Sequence, residues 1–189
     1  MKKTLALTLT ILAITNTSTA HADNSWYLGA LYNTQSASED DPSYNTAGLI
    51  AGYTYNKYLS IESRVATGTS GDSGLYGTTE NIVGNYGQDI KSQVSLLIKA
   101  SYPFLNAFEV YGLAGYSSTK LDVFSDYNDG FYHSYTPSNS GFGGGLGFGY
   151  KLNQQFNIFI DYQVIPGFDR FSQSPKNWKS TTIGVNYCF

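Results

Sequence analysis

The last seven residues of the chain, Ile183–Phe189, form a short alternating pattern that ends on an aromatic residue. Large apolar side chains stand at every second position, and smaller or polar residues stand between them. A period of two predicts a β-strand with one apolar face. Such a terminal strand is typical of a transmembrane β-barrel, where it closes the sheet and its last aromatic residue lies at the bilayer interface. We therefore expect Val185, Tyr187 and Phe189 to face lipid and Asn186 and Cys188 to face the lumen.

The start of the chain predicts a secretory signal peptide. Two early lysines precede the apolar stretch Leu5–Ile14, which is too short to cross a bilayer as a helix. The triplet Ala20-His21-Ala22 then fits the small-x-small cleavage pattern. We expect residues 1–22 to be removed and residues 23–189 to form one exported domain.

The composition indicates a membrane barrel rather than a soluble domain. Charged residues make up 13% of the chain, about half the usual share, while Tyr (17) and Gly (20) are abundant. The mean hydropathy is nevertheless −0.24, and no run after the signal approaches the length of a transmembrane helix. Without the two signal-peptide lysines, 9 basic and 14 acidic residues leave a net charge of −5, which argues against a nucleic-acid partner.

Alternation along the chain predicts eight antiparallel strands in an up-and-down barrel. The predicted strands are Trp26–Asn33, Thr46–Tyr55, Leu59–Thr67, Lys91–Tyr102, Phe108–Leu121, Gly141–Leu152, Phe156–Ile165 and Trp178–Phe189. Short turns should alternate with long loops at 34–45, 68–90, 122–140 and 166–177. This alternation is typical of short periplasmic turns and long extracellular loops, with both mature termini in the periplasm. Ten strands remain an alternative, because residues 68–90 could contain a hairpin.

The segment Gly141–Tyr150 shows two faces most clearly. Its large side chains occupy only even positions, and its odd positions are all glycine. We expect the large residues to face lipid and the glycines to leave room inside a narrow barrel. A phosphate-binding loop is disfavoured, because the segment lacks the Lys-Ser/Thr pair of that motif and no helix follows it.

The hairpin Gly52–Arg64 resembles the second hairpin of the OmpA-like outer-membrane barrels, in the broad outer membrane protein β-barrel group. It has a Gly-Tyr strand end, a short turn at Asn56 and a strand with an inward glutamate, Glu62. The resemblance covers about residues 23–189 and implies an eight-stranded barrel in a Gram-negative outer membrane. It implies that Val185, Tyr187 and Phe189 form a C-terminal signal for the barrel-assembly machinery, with periplasmic chaperones as partners. It also implies contact with membrane lipid and lipopolysaccharide, and we expect a monomer without a peptidoglycan-binding domain.

Strand parity places several charged side chains in the lumen. They are Glu62, Arg64, Lys99, Glu109 and Asp161. A charge on the lipid face costs about 2–4 kcal/mol at the midplane, so these residues should face inward and pair with one another. We interpret the set as a structural plug. An ion-pair gate, which the OmpA resemblance suggests, or a narrow pore for small solutes is the alternative.

Catalytic and metal-binding chemistry have little support. His133 is the only histidine after the signal, and it could work with Ser134 in an outer-rim enzyme acting on lipid A. We expect a solvated loop residue instead, no enzyme and no cofactor. The acidic segments Glu39–Asp41 and Asp122–Asp129 could bind divalent cations beside lipopolysaccharide phosphates, but the spacing does not fit an EF-hand. Cys188 has no second ligand and predicts no metal or redox site.

The predicted loops hold the remaining candidates for function. Aromatic residues among small polar ones are typical of recognition surfaces, and equally of an outer aromatic girdle. These residues are Tyr76, Tyr86, Tyr127, Phe131, Tyr132, Tyr135, Phe168 and Phe171. The sequence thus predicts a plugged barrel with a structural or surface-interaction role, whose loops could meet a host or phage ligand. A soluble lipocalin-like barrel is disfavoured, because it would require the reverse parity of apolar and charged residues.

Overall fold

The computed structural model describes residues 25–36, 41–78, 81–105, 107–127, 132–169 and 174–189. All regular structure in these residues is antiparallel β-sheet, in ten segments. They are β1 Ser25–Ser36, β2 Tyr44–Asn56, β3 Leu59–Ser70, β4 Asp72–Thr78, β5 Asn81–Phe104, β6 Phe108–Tyr127, β7 Tyr132–Tyr135, β8 Ser138–Lys151, β9 Phe156–Phe168 and β10 Pro175–Cys188.

Eight strands close into a ring, which confirms the predicted barrel. The order around the ring is β1-β2-β3-β5-β6-β8-β9-β10, and β10 returns to β1 with Tyr27 opposite Cys188. The two remaining segments are extensions of ring strands. β4 follows β3 after Gly71 and pairs with β5, while β7 precedes β8 and pairs with β6. The ten segments are therefore eight long strands, two of which are interrupted.

Tight turns occupy one end of the barrel, which we call the turn end. Asn56 Oδ1 accepts a hydrogen bond from the Tyr58 amide (2.8 Å), and Asn153 Oδ1 accepts one from the Gln155 amide (2.8 Å). Side chains that satisfy backbone donors two residues ahead explain why asparagine marks both turns. The opposite end, where β1 ends and β2 begins, is called the loop end.

The predicted long loops at 68–90 and 122–140 are wrong in their extent. β4 and the first part of β5 occupy most of the first segment, and the end of β6 with β7 and the start of β8 occupies much of the second. These residues are rich in Gly, Ser, Asn, Asp and Tyr, a composition typical of loops. Cross-strand pairing between Asp72–Thr78 and Asn81–Gln88 holds them in a sheet despite that composition.

The two faces of the sheet divide as the alternation predicts. Outward residues of β5 such as Val94, Leu96 and Ile98 are 46–60% exposed, as lipid-facing side chains of an isolated barrel are. Inward residues are buried and largely polar. Two apolar clusters lie inside the barrel, one in the middle around Leu97 and Phe159 and one at the loop end around Trp178.

Candidate functional site

A buried triad of charges crosses the middle of the lumen. Glu62 and Arg64 lie two residues apart on β3 and therefore share its inner face, and Asp161 projects from β9 on the opposite side. Arg64 Nε donates to Glu62 Oε1 at 2.5 Å. Its Nη1 and Nη2 donate to the two Asp161 carboxylate oxygens at 3.2 and 2.8 Å. All three residues are at most 6% exposed, so the bidentate Arg64–Asp161 pair is shielded from water.

Neutral donors satisfy the carboxylate oxygens further. The Tyr27 hydroxyl donates to Glu62 Oε2 (2.7 Å), and the Tyr111 hydroxyl donates to Asp161 Oδ2 (3.2 Å). Gln163 Nε2 donates to Asp161 Oδ1 at 2.8 Å. Buried charges are stable only when such bonds replace the lost hydration. With these donors the triad forms a hydrogen-bonded unit that links four strands, β1, β3, β6 and β9.

The second charge pair lies closer to the turn end. Lys99 Nζ contacts Glu109 Oε1 at 2.6 Å, with the two side chains 9% and 13% exposed. The same ammonium lies 4.1 Å from the centre of the Tyr111 ring, a cation–π contact. The five predicted lumen charges thus form a triad and a pair, linked through Tyr111. We call these five residues, with Tyr27 and Tyr111, the plug.

Glycines on β8 make room for the plug. A Cβ atom on Gly147 would collide with the Tyr111 ring, and one on Gly149 would collide with the Glu109 side chain. Gly145 likewise faces the Gln163 side chain. The run of odd-numbered glycines in Gly141–Tyr150 therefore has a packing reason, because these strand positions lie beneath neighbouring side chains.

An apolar cap closes the lumen at the loop end. Its members, which we call the cap, are Tyr44, Ile90, Leu121, Val123, Ile165, Phe168 and Trp178. The Trp178 ring stacks on Tyr44 at 4.9 Å, and its indole N–H donates to the Phe168 carbonyl oxygen at 2.7 Å. Phe168 is only 4% exposed. Its prediction as a loop recognition residue is therefore wrong, because its ring packs inside the barrel against Trp178.

Four strand segments rise past the rest of the barrel at the loop end. We call residues 72–78, 81–90, 121–127 and 132–136 the raised wall. β5 is 24 residues long and β6 is 20, whereas about 9–11 residues suffice to cross a bilayer. β4 pairs only with β5 and β7 only with β6 in the described residues. The wall is thus a four-stranded sheet standing on one side of the ring.

The wall separates the predicted recognition residues by face. Residues paired in register share a face, so Tyr86, Tyr127 and Tyr135 lie on the inner face with Val123. Tyr132 pairs with Asp126 on the outer face and is 65% exposed. The side chain of Tyr76 and the residues Phe131 and Phe171 lie outside the described part of the chain.

The predicted pair of His133 and Ser134 does not come together, and no metal site forms among the described residues. His133 and Ser134 are neighbours on β7, so they point to opposite faces and cannot act together as a base and a nucleophile. Within the described chain, no group of three or more His, Cys, Asp or Glu residues could hold a metal ion. Glu39, Asp40 and Asp129 lie outside the described residues.

The C-terminal residues sit where β10 meets β1 and β9. Val185 and Phe189 are 38% and 63% exposed, and Asn186 is 4% exposed. The Tyr187 ring packs edge-on against Phe189 at 5.1 Å and against Phe156 at 5.2 Å. The Phe189 amide donates to the Trp26 carbonyl oxygen at 3.0 Å, so the chain end is tied into the closing seam.

No helix among the described residues is long and apolar enough to span a membrane. The sequence model of the family described as the outer membrane protein β-barrel domain matches residues 4–189. No curated protein matches the sequence.

Solved structures of small outer-membrane proteins share the fold. Neisserial surface protein A aligns with a TM-score of 0.57 at 13% identity, over 89% of this chain and 98% of that protein. Ail, the attachment invasion locus protein of Yersinia pestis, aligns with a TM-score of 0.52 at 15% identity, covering 88% of this chain and 97% of its own. The N-terminal barrel domain of Pseudomonas aeruginosa OprF gives 0.52 at 13% identity, with 86% and 97% covered. At these identities the likeness concerns the fold alone.

Proposed function

The chain belongs to the outer membrane protein β-barrel domain family, whose members reside in the Gram-negative outer membrane, and from that premise we propose a surface-recognition role. In this proposal the barrel does not conduct, and the raised wall faces the cell exterior, where it binds a partner. The turn end and both termini of the mature chain then face the periplasm, since short turns are periplasmic in such barrels.

The observation that carries the proposal is the filling of the lumen. The plug crosses the middle of the barrel with side chains at most 13% exposed, and the cap covers the loop end with Trp178 at 1%. Eight strands enclose an interior only wide enough for side chains, and these side chains are present. A narrow pore would require both layers to open, so we do not propose one.

The raised wall provides an exposed surface for binding a partner, whereas the lumen is filled. Tyr127, Tyr132 and Tyr135 are 36–65% exposed on strands rather than on mobile loops. Tyrosine gives large contact area at low entropic cost, which suits recognition. Ail has been solved with the heparin analogue sucrose octasulfate. We do not extend that ligand class to this chain, because the described residues of the raised wall include four aspartates and no lysine or arginine.

Membrane insertion in this proposal uses the C-terminal strand. Periplasmic chaperones would deliver the unfolded chain, and the barrel-assembly machinery would recognise Val185, Tyr187 and Phe189. Lipopolysaccharide and membrane lipid would contact the outward apolar band, and a monomer would suffice.

The orientation is tested by labelling intact cells with a maleimide-polyethylene glycol too large to cross the outer membrane. Leu75 is 65% exposed on the wall, and Cys188 is a free, half-buried thiol at the turn end. We expect Leu75→Cys to be labelled on intact cells, while wild-type Cys188 reacts only after lysis and unfolding. Labelling of wild-type protein on intact cells, or labelling of Leu75→Cys only after lysis, would contradict the proposal.

A further inference from the structure

The outer face of the raised wall contains a cleft of about 310 Å³ at the junction of β4, β5, β6 and β7. Gly71 and Gly87 line its floor, and the rings of Phe124 and Tyr132 line one side. A Cβ atom on Gly87 would collide with the Phe124 ring, so this glycine lets the ring lie over the sheet. The cleft therefore combines an open backbone floor with aromatic surface.

Large apolar side chains lie in the cleft and beside it. Leu75 and Tyr132 are each 65% exposed, and Phe124 is 40% exposed. All three lie on the outer face of the raised wall, which stands outside the membrane in the proposed orientation. Clustered apolar side chains on a water-exposed sheet mark an interaction surface more often than isolated ones do.

Two aspartates on neighbouring strands line the same cleft. Asp89 on β5 lies directly opposite Asp122 on β6, and both line the cleft. Like charges in a directly opposed cross-strand pair are destabilising. Lys91 reaches Asp122 at 3.4 Å from the base of the wall, with both side chains about half exposed. In the described chain no cationic side chain makes a salt bridge with Asp89.

The surroundings of Asp89 disfavour its negative charge, so a nearby cation would be stabilising. Partial burial raises the pKa of the Asp89 carboxyl. The Ile90 amide, which donates to Asp89 Oδ1 at 2.7 Å, opposes this shift in pKa, and the charge of Asp122 adds to it. A cation placed between the two carboxylates would remove the repulsion.

We propose that this cleft binds a Lys or Arg side chain of a basic polypeptide segment, with the cation between Asp89 and Asp122. The alkyl stem then lies against Phe124 and Tyr132, whose ring faces attract cations. This inference rests on the proposed surface role and specifies the chemistry of the partner. Charge complementarity selects this occupant, since Asp89, Asp122 and Asp126 lie on the outer face of the raised wall and Lys91, at its base, makes a salt bridge with only one of them.

A free metal ion and a polyanion fit the cleft less well. Two carboxylates on flat, solvent-facing strands do not supply the six or more oxygen ligands that calcium prefers. A sulfated or phosphorylated polymer would meet like charge. An arginine side chain matches both halves of the site, because its planar cation pairs with carboxylates and stacks on aromatic rings.

The test measures binding of fluorescein-labelled nona-arginine by anisotropy to the full protein in phosphatidylcholine nanodiscs. Competition by unlabelled nona-arginine forms one arm, and direct binding of fluorescein-labelled heparin, measured separately, forms the other. We expect the double variant Asp89→Asn/Asp122→Asn to bind about tenfold more weakly, since two exposed ion pairs are lost. Tyr132→Ser should weaken binding several-fold through the lost aromatic contact.

The matched control is Asp41→Asn/Asp169→Asn, which makes the same change in net charge on the other side of the loop end. Both of its aspartates lie near Lys176, at 3.9 and 3.6 Å. This control should stay within about twofold of wild type. Equal losses in both double variants would show general charge attraction and overturn the inference. Direct heparin binding without nona-arginine binding would also overturn it but leave the surface role standing, whereas open-channel currents would contradict the surface role itself.

Discussion

Removing the guanidinium of Arg64 is the perturbation whose effect follows most directly from the structure. Glu62 and Asp161 are each 2% exposed. In Arg64→Met both carboxylates stay buried but lose the cation that neutralises their negative charge. Three charge-assisted hydrogen bonds disappear together. Breaking a buried pair from one side typically costs about 3–5 kcal/mol, so we expect a loss of that order in unfolding free energy.

The matched control is Lys91→Met, which removes an ion pair at the barrel surface. Lys91 and Asp122 are 52% and 54% exposed and stand 3.4 Å apart. An exposed pair contributes at most about 1 kcal/mol, so this variant should unfold close to wild type. The comparison separates the effect of a buried cation from the effect of losing any positive charge.

The assay is urea unfolding in phospholipid vesicles, followed by tryptophan fluorescence and by the heat-dependent shift in gel mobility. Adding Glu62→Gln and Asp161→Asn to Arg64→Met should recover part of the loss, because neutral amides need no counter-charge. Equal unfolding midpoints for Arg64→Met and Lys91→Met would refute the reasoning. So would a triple variant that is less stable than Arg64→Met alone.

Three further predictions concern other parts of the molecule. Gly147→Ala should destabilise the barrel by about 1–3 kcal/mol in the same urea assay, because its Cβ displaces Tyr111, whereas Gly112→Ala meets no atom closer than 4.0 Å and should be neutral. Deletion of Phe189 should lower the amount of heat-shifted protein in the outer membrane without changing any activity of the wall; normal assembly would contradict its role as a signal. Asp89→Asn should protect the wall from proteolysis at neutral pH, since a carboxyl with a raised pKa is destabilising once ionised. The difference in proteolysis rate between Asp89→Asn and wild type should shrink as the pH falls through the pKa of Asp89. A difference that does not change with pH would show that another cause is responsible.

The alternation of residues along each strand was enough to place the charged side chains in the lumen, because a charge on the lipid-facing side is energetically costly. Lys99 stands between Ile98 and Ala100, Glu62 follows Ile61, and both charged residues are buried. Sequence alone did not tell which acid meets which base. Arg64 pairs with Asp161 across a separation of 97 residues, and that contact depends on the register of strands far apart in the chain.

The raised wall was missed for a physical reason. Where strands extend past the barrel ring, both faces of the sheet can meet water, so the apolar alternation that marks a transmembrane strand fades. Asp122–Asp126 and Ser134–Tyr135 therefore read as loop, although their backbones pair in register. The cap was missed for the opposite reason, because Ile165–Phe168 is buried at every position and shows no alternation.

The central claim is that the barrel is closed and acts through its outer surface, and single-channel recording tests it most directly. Purified wild-type protein is inserted into a planar lipid bilayer, with a trimeric porin recorded in the same chamber as a positive control. Because the plug and the cap both fill the lumen, we predict no stepwise currents where the porin opens readily. Wild-type conductance steps comparable with those of the porin would contradict it.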